Sequence, residues 1–337
     1  MGRDIKPKIF QFIADVLYRK IWLGASASAQ GRSHIKVDVP CQDSTCTESY
    51  EGCTVVALSD GAGSKQYSYL GSRQLVKAIC DLLTKDFDIL FGQKVDEIKK
   101  KVYSHLMSAM TTEAQKNNIS ISELSSTLLA IAIKYDRILS FHIGDGCIGF
   151  LNASGSMELF SEPFNGEYPN STIFFTSPNG LDQFRCYKGH VSGIEGFILM
   201  SDGSADSLYL KKDKSFANAC SKMINMLTNT ELDSKELLTS SLNLIRNRTF
   251  DDCSVALLKK AGQEKREFEQ INKDLMETVS GTQNDLYWRK MISLWEQIEY
   301  HQTFSVKKLS LSLPYRRRQI KKILNMTRRY VKQNLPS

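Results

Sequence analysis

The chain has 337 residues, of which 42% are hydrophobic and 24% charged, and a formal net charge of +7. This is ordinary globular composition, long enough for one large domain with an appendage or for two domains. No apolar run reaches the roughly 18 residues a membrane span needs. The opening stretch MGRDIKPKIFQFIADVLYRK is charged throughout and lacks a small-residue cleavage site, which argues against a signal peptide. Gly2 is followed by Lys6 where a myristoylation signal wants Ser or Thr. A cytoplasmic location without a membrane partner is expected.

The charge is unevenly spread. Residues 302–337 hold ten basic residues and no acid, so the rest of the chain carries −3 and the basic pI belongs to the tail. The eight cysteines stand singly, with no Cys-x-x-Cys and no zinc-like histidine spacing. They read as reduced packing residues.

In chain order, residues 1–20 suggest an N-terminal helix. Strands are expected at residues 21–30 (IWLGASASAQ) and 53–58 (CTVVAL), bracketing the loop GRSHIKVDVPCQDS. Helices follow over about 67–86 and 94–117; in the first, Leu75, Ile79, Leu82 and Leu83 fall at helix spacing. Strand patterns come next at TLLAIAI, RILSFHI, CIGFLN, MELF, TIFFT, around 184–190 and at FILM. Helices over 212–227 and 231–247 precede a last strand in DDCSVALL. Many antiparallel-looking strands with paired helices favour an α+β layered sandwich, and the absence of GxGxxG and Walker A sequences removes support for nucleotide-binding α/β folds. Beyond residue 260 the pattern turns helical. Phe268, Ile271 and Leu275, then Trp288, Met291, Ile292, Trp295 and Ile298 recur at helix period, Pro314 interrupts, and Ile320, Ile323, Leu324 and Val331 share a later face. The expected division is a helix over 1–20, a catalytic body over 21–260 and a basic helical extension over 261–337.

Four apolar runs end or begin at acids: VVALSDGAGS with Asp60, LSFHIGDGCIGF with Asp145, GFILMSDGSAD with Asp202, and FDDCSVALL with Asp251 and Asp252. Buried strands fix their end residues, so these carboxylates can converge at the rim of a sheet. Converging carboxylates repel and call for a cation. Oxygen ligands without Cys or His partners point to Mg²⁺ or Mn²⁺, and so to a metal-dependent hydrolase.

The ordered pieces GRSHIKVDVPCQDS, LSDGAGS, SSTLLAIAI, HIGDGCIGF, GEYPNSTIFFTSP, MSDGSAD and DDCSVAL resemble the metal-dependent protein phosphatases of the type 2C family, in its divergent bacterial branch, over residues 20–260. The resemblance implies a four-layer sandwich, two antiparallel sheets between helix pairs, with a binuclear Mg²⁺ or Mn²⁺ site. It implies that Asp60 bridges both ions, that the Gly61 carbonyl ligates one, that Asp202 and Asp251 complete the second, and that Asp145 tends a third, weaker ion. Asp43 would act from the outer shell through water, and Arg32 and His34 stand where a phosphate-gripping residue is wanted. An ion-activated water would attack phosphorus directly, with no phosphoenzyme and no Cys nucleophile. The expected substrate is a phosphoserine or phosphothreonine protein, and a Ser/Thr kinase is an expected partner.

The chain departs from the family at Ala62, where many members carry a His, and at Gln42, where an acid is common. These departures motivate a second reading, a catalytically weak phosphatase-fold module that binds a protein partner. Asp252 is expected to contact backbone at the strand start, and Ser125, Ser126 and Thr127 to be structural. The basic tail lacks interleaved aromatics, so nucleic acid is not its expected partner. Docking of a protein or packing back on the body, with Trp288 and Trp295 as anchors, fits it better.

Overall fold

Strand segments such as VVAL and LLAIAI are apolar at every position because both of their faces are covered, where an antiparallel sheet with one wet face would alternate. The computed structural model describes residues 5–164, 172–228, 230–266, 271 and 285–334. It divides into two compact units, Ile21–Gly262 and Met1–Lys20 together with Gln263–Ser337.

The larger unit begins within β1 (Tyr18–Ala29) and runs through α2 (Arg32–Lys36), β2 (Ser44–Tyr50), β3 (Cys53–Ser59), α3 (Ser68–Phe91) and α4 (Val95–Lys116), α1 (Ile5–Leu17) belonging to the other unit. Next come β4 (Leu128–Lys134), β5 (Arg137–Ile143), β6 (Cys147–Asn152), β7 (Met157–Ser161), α5 (Gly180–Gln183), β8 (Arg185–His190) and β9 (Ile194–Met200). It closes with α6 (Asp202–Leu208), β10 (Tyr209–Leu210), β11 (Ser215–Phe216), α7 (Asn218–Met226), α8 (Glu231–Arg246) and β12 (Cys253–Lys265). One five-stranded sheet has the order β1-β12-β9-β6-β7 and the other β2-β3-β4-β5-β8.

Side chains alternate across these sheets. Val56, Leu58, Leu129, Ile131 and Ile133 meet Ile148, Phe197, Leu199 and Ala256 between the sheets. Their neighbours Val55, Ala57, Ala130 and Ala132 point outward to Leu75, Ile79 and Leu83 of α3 and Val102 and Leu106 of α4. On the opposite side Ile198, Met200, Val255 and Leu257 pack with Cys220, Ile224, Leu238 and Leu242 of α7 and α8. The result is the expected α+β sandwich of two antiparallel sheets flanked by helices. All eight cysteines are free thiols.

Three local expectations change. The polar segment STCTESY is a strand, β2, paired along its whole length with β3. TIFFT joins neither sheet: Phe175 is buried against Tyr103 and Phe184, and its N–H donates to the Ser126 carbonyl at 2.8 Å, so the run plugs the core. The first half of the helix expected over 212–227 is instead the β10–β11 hairpin, where Tyr209 pairs with Phe216 and Lys214 takes φ 48°, and α7 starts only at Asn218.

The smaller unit joins α1 to α9 (Asp285–His301), α10 (Val306–Ser312) and α11 (Arg317–Asn334). Ile9, Ile13 and Leu17 form one core with Met291, Leu294, Trp295, Ile298, Leu309, Ile320 and Leu324. Pro314 falls in the break between α10 and α11. Phe268 and Leu275 lie outside the described residues, as do the side chains of Trp288 and Val331. Trp295 is fully buried and donates its Nε1–H to Thr327 Oγ1 at 2.8 Å, so it anchors this unit from within and is not offered to a partner. Trp295→Ala is expected to cost about 3–5 kcal/mol. Amide exchange in α9 and α11 should then quicken by about two to four powers of ten; unchanged exchange would show that the indole is not central to this core. Among the described residues no helix is long and apolar enough to cross a membrane.

Candidate metal centre

Strand register brings the acids together. In the first sheet Met200 of β9 pairs with Cys147 of β6 and with Val255 of β12, both antiparallel. Asp202, just past the end of β9, therefore shares a rim with Asp145, just before β6, and with Asp251, just before β12. In the second sheet Leu58 pairs with Leu129 and Leu128 with Ile143, so Asp60 after β3 and the turn after β5 lie at that same end. Carboxylate oxygens of Asp60, Asp145 and Asp202 all lie within 4.8 Å of one another, a group that could hold a metal ion.

Each acid is fixed by its surroundings. Thr127 clamps Asp60 on both sides: the Asp60 N–H donates to Thr127 Oγ1 at 2.9 Å, and the Asp60 carbonyl accepts from the Thr127 N–H at 2.8 Å. The Ala62 N–H donates to the Ser125 carbonyl at 2.9 Å, and Gly61 bridges Ser126. The Ser125–Thr127 segment is thus the backbone template for the Asp-Gly-Ala turn. Asp145 follows Gly144, whose φ of 115° suits glycine, and its Oδ2 accepts a hydrogen bond from Thr172. His142 braces this turn with ring nitrogens 2.7 Å from Ser161 Oγ and 3.1 Å from the Gly144 carbonyl. Burial pushes the His142 imidazole down to about 3, so it is neutral. The carbonyl must accept, so Nε2 carries the proton and Nδ1 accepts from Ser161.

Asp43 is 4% exposed, and its Oδ2 accepts from Ser254 Oγ at 2.6 Å. Ser254 also donates its N–H to Ser201 Oγ at 3.0 Å, tying β12 to the start of α6. Asp251 is exposed and stands outside the three-carboxylate group; its Oδ1 accepts the Asp252 N–H at 2.9 Å. Asp252 turns inward, where Oδ1 accepts the Gly31 N–H and Oδ2 the Gln42 N–H, each at 2.6 Å. It holds backbone, in agreement with the sequence expectation.

Arg32 and His34 sit on α2 and face the loop before β12. Arg32 Nε donates to the Thr249 carbonyl at 3.0 Å, and its guanidinium lies 4.6 Å from the Phe250 ring centre. His34 Nδ1 is 3.0 Å from Asp252 Oδ1, close enough for an ion pair though not aligned as a hydrogen bond. Gly31, at the start of α2, permits this approach. A Cβ there would come within 2.6 Å of the Asp251 carbonyl oxygen and 2.7 Å of the Asp252 nitrogen, both backbone atoms. Gly31→Ala is expected to displace Asp251 and weaken Mn²⁺ binding by about tenfold or more. Unchanged affinity by calorimetric titration would remove Asp251 from the ion's surroundings.

The electrostatics suit a bound cation. Burial, followed by the charges of Asp43, Asp202 and Asp145, holds the Asp60 carboxyl well above the ordinary range. Burial and then the Asp145 charge raise Asp202 to about 6. Burial raises Asp43 to about 8, against the lowering effect of the Ser254 hydrogen bond. Positive charge placed among them would lower all three and favour the ionised, ligating form. The donor set is all oxygen, which fits a hard dication.

Sequence reading missed His142, Thr172, Ser201 and Ser254 as supports of the acids. Ser254 lay within the recognised DDCSVAL piece, but its bond to Asp43 spans 211 positions and no local pattern reports it. Beside Asp251 lies a groove of about 560 Å³ whose lining includes Ser33, His34, Gly63, Arg248 and Phe250.

A double antiparallel sandwich with a carboxylate cluster at one rim defines a metal-binding hydrolase. The family model for Protein phosphatase 2C matches residues 30–243, well over half of the chain, and the chain belongs to that family. It is an enzyme of the Ser/Thr protein phosphatase type. It is 24% identical to Serine/threonine-protein phosphatase 3 of Escherichia coli (strain K12) over 179 residues, covering 49% of this chain and 67% of that protein. Among solved structures it is similar to PppA, a regulatory component of T6SS in Pseudomonas aeruginosa, at TM-score 0.50 and 14% identity, covering 72% of this chain and 99% of that one. A bacterial serine phosphatase bearing an arginine-to-alanine mutation matches with the same TM-score, identity and coverage.

Proposed function

We propose that the chain hydrolyses phosphoserine and phosphothreonine in proteins, using two Mg²⁺ or Mn²⁺ ions with room for a third, and that residues 21–260 are its catalytic body. The observation that carries this reading is the convergence of Asp60, Asp145 and Asp202 in a chain of this family. Asp60, the Gly61 carbonyl, Asp202 and Asp251 would hold the two ions, Asp145 the third, and Asp43 would orient water from behind. Bound ions supply an activated water and neutralise charge on the phosphoryl oxygens.

The chain's own contribution is positioning. Thr127 and the Ser125 carbonyl fix the Asp-Gly-Ala turn, His142 fixes the Asp145 turn, and Asp252 fixes the two backbone segments that carry Gly31 and Gln42. Arg32 and His34 act here by holding the 249–252 loop that carries Asp251. The groove beside Asp251, with the exposed Arg248 on its wall, would receive the phosphorylated segment. Ala62 is buried and offers no proton, so leaving-group protonation falls to water and low-pKa leaving groups should turn over fastest. That feature also keeps alive the second reading, a weakly catalytic module that binds a protein partner. A kinase partner, cytoplasmic placement and protein docking by the basic helices belong to the same proposal.

The test is phosphate release from a phosphothreonine peptide and from an aryl phosphate, with millimolar Mn²⁺ and with chelator. Mn²⁺-dependent release from both supports the enzyme reading. Ion binding without release from either would favour the weakly catalytic module.

A further inference from the structure

A second groove, of about 560 Å³, opens at the edge of the sandwich where β1 and β2 end their sheets. Its walls include four consecutive residues of β1, Ala25 to Ser28, and four of β2, Ser44 to Thr47. Successive side chains of a strand point to opposite faces, so a groove that touches consecutive residues must run along the strand's backbone edge. Both strands are terminal in their sheets, and among the described residues no further strand pairs with their outer edges. Their outer N–H and C=O groups therefore form a template for another extended chain. The two edges are pinned together by the Thr47 hydroxyl, which donates to Ser26 Oγ at 2.9 Å.

The exposed charges on this groove have one sign. Arg73 of α3 and Lys235 of α8 line it, both are exposed, and neither enters an ion pair among the described residues. The acid that reaches it, Asp43, is buried with its carboxyl committed to Ser254. The remaining walls are mostly small residues and hydroxyls, with Cys41 and Cys46. Small side chains leave the backbone accessible, and hydroxyls can donate or accept as an incoming strand requires.

We propose that this groove is a docking site for an extended acidic segment of a protein partner, which adds a strand at the β1 or β2 edge and places carboxylates on Arg73 and Lys235. Main-chain pairing supplies the affinity and the two cations select an acidic sequence. The chain's own tail, residues 302–337, has no acid and does not match this chemistry.

The probe is a fluorescein-labelled ten-residue peptide of alternating Thr and Glu, titrated with the full chain and read by fluorescence anisotropy. Saturable binding is expected, equal in chelator and in millimolar Mn²⁺, which separates this site from the metal centre. The double variant Arg73→Glu with Lys235→Glu should bind at least about tenfold more weakly, with aryl phosphate turnover unchanged from the native chain. Replacing alternate Thr residues of the peptide by Pro, which removes the N–H groups a ladder needs, should abolish binding. The proposal is overturned by no saturable binding to the native chain, by equal binding of a Thr-Lys peptide, by equal binding to the double variant, or by equal binding of the Pro peptide. Since aryl phosphate turnover is measured on the same samples, loss of the docking proposal leaves the phosphatase reading separately judged.

Discussion

Asp60→Asn is expected to lower Mn²⁺-dependent aryl phosphate turnover by about a thousandfold or more, equivalent to about 4 kcal/mol of transition-state stabilisation. The same change should make the ion-free protein more stable, because it removes one of several clustered, half-buried carboxylates that repel one another. The pH dependence carries the sign. Asp202 and Asp43 have folded-state values raised to about 6 and about 8. The folded chain therefore holds protons that the unfolded chain releases from pH ~4 upward. Stability from that protonation is complete below the ordinary aspartate range and is lost as pH rises through 6 and then 8. In chelator, the midpoint of thermal unfolding should fall by about 5 °C or more between pH 5 and pH 8.5. Mn²⁺ should reverse most of that fall in the native chain and little of it in Asp60→Asn. A pH-independent midpoint in chelator would sink the idea that these carboxylates are strained without an ion.

Asp252 is expected to be the second costly position, although it is assigned no ion. It is 3% exposed and takes two backbone N–H groups at 2.6 Å, one on each oxygen. Asp252→Ala strands both donors in the interior and should destabilise the larger unit by about 3–5 kcal/mol. Asp252→Asn is the sharper test, because an amide keeps the shape but turns one acceptor into a donor facing an N–H. It should cost about 2 kcal/mol, read from urea dependence of amide exchange in β12. A cost below about 0.5 kcal/mol would mean that the carboxylate is interchangeable with an amide here.

What could be read from the sequence follows from how local each signal is. Strands covered on both faces, such as TLLAIAI and FILM, announce themselves by composition, and the acids at their ends could be placed because a buried strand fixes its termini. STCTESY could not be read as a strand, since its pairing with β3 is a tertiary fact and its half-exposed edge tolerates polar side chains. TIFFT has strong strand propensity, yet Phe175 is used to fill the space beside Tyr103 and Phe184. Of the site, Asp60, Asp145 and Asp202 were legible as a convergent set. The bonds that hold the site, Ser254 to Asp43 and Asp252 to Gly31 and Gln42, join positions more than 200 residues apart and leave no periodic trace. Trp295 looked like a surface anchor because helix period marks which face is apolar without saying what covers it.

The shared core of α1 with α9, α10 and α11 has a consequence for synthesis on the ribosome. Ile9, Ile13 and Leu17 are made roughly 300 residues before Trp295, Leu309 and Ile320, which bury them. At about 5–20 residues per second, the apolar face of α1 waits on the order of 15–60 s for its cover. During that interval the stretch is a natural client for a holding chaperone, and slowing elongation should lengthen its exposure to proteases in proportion.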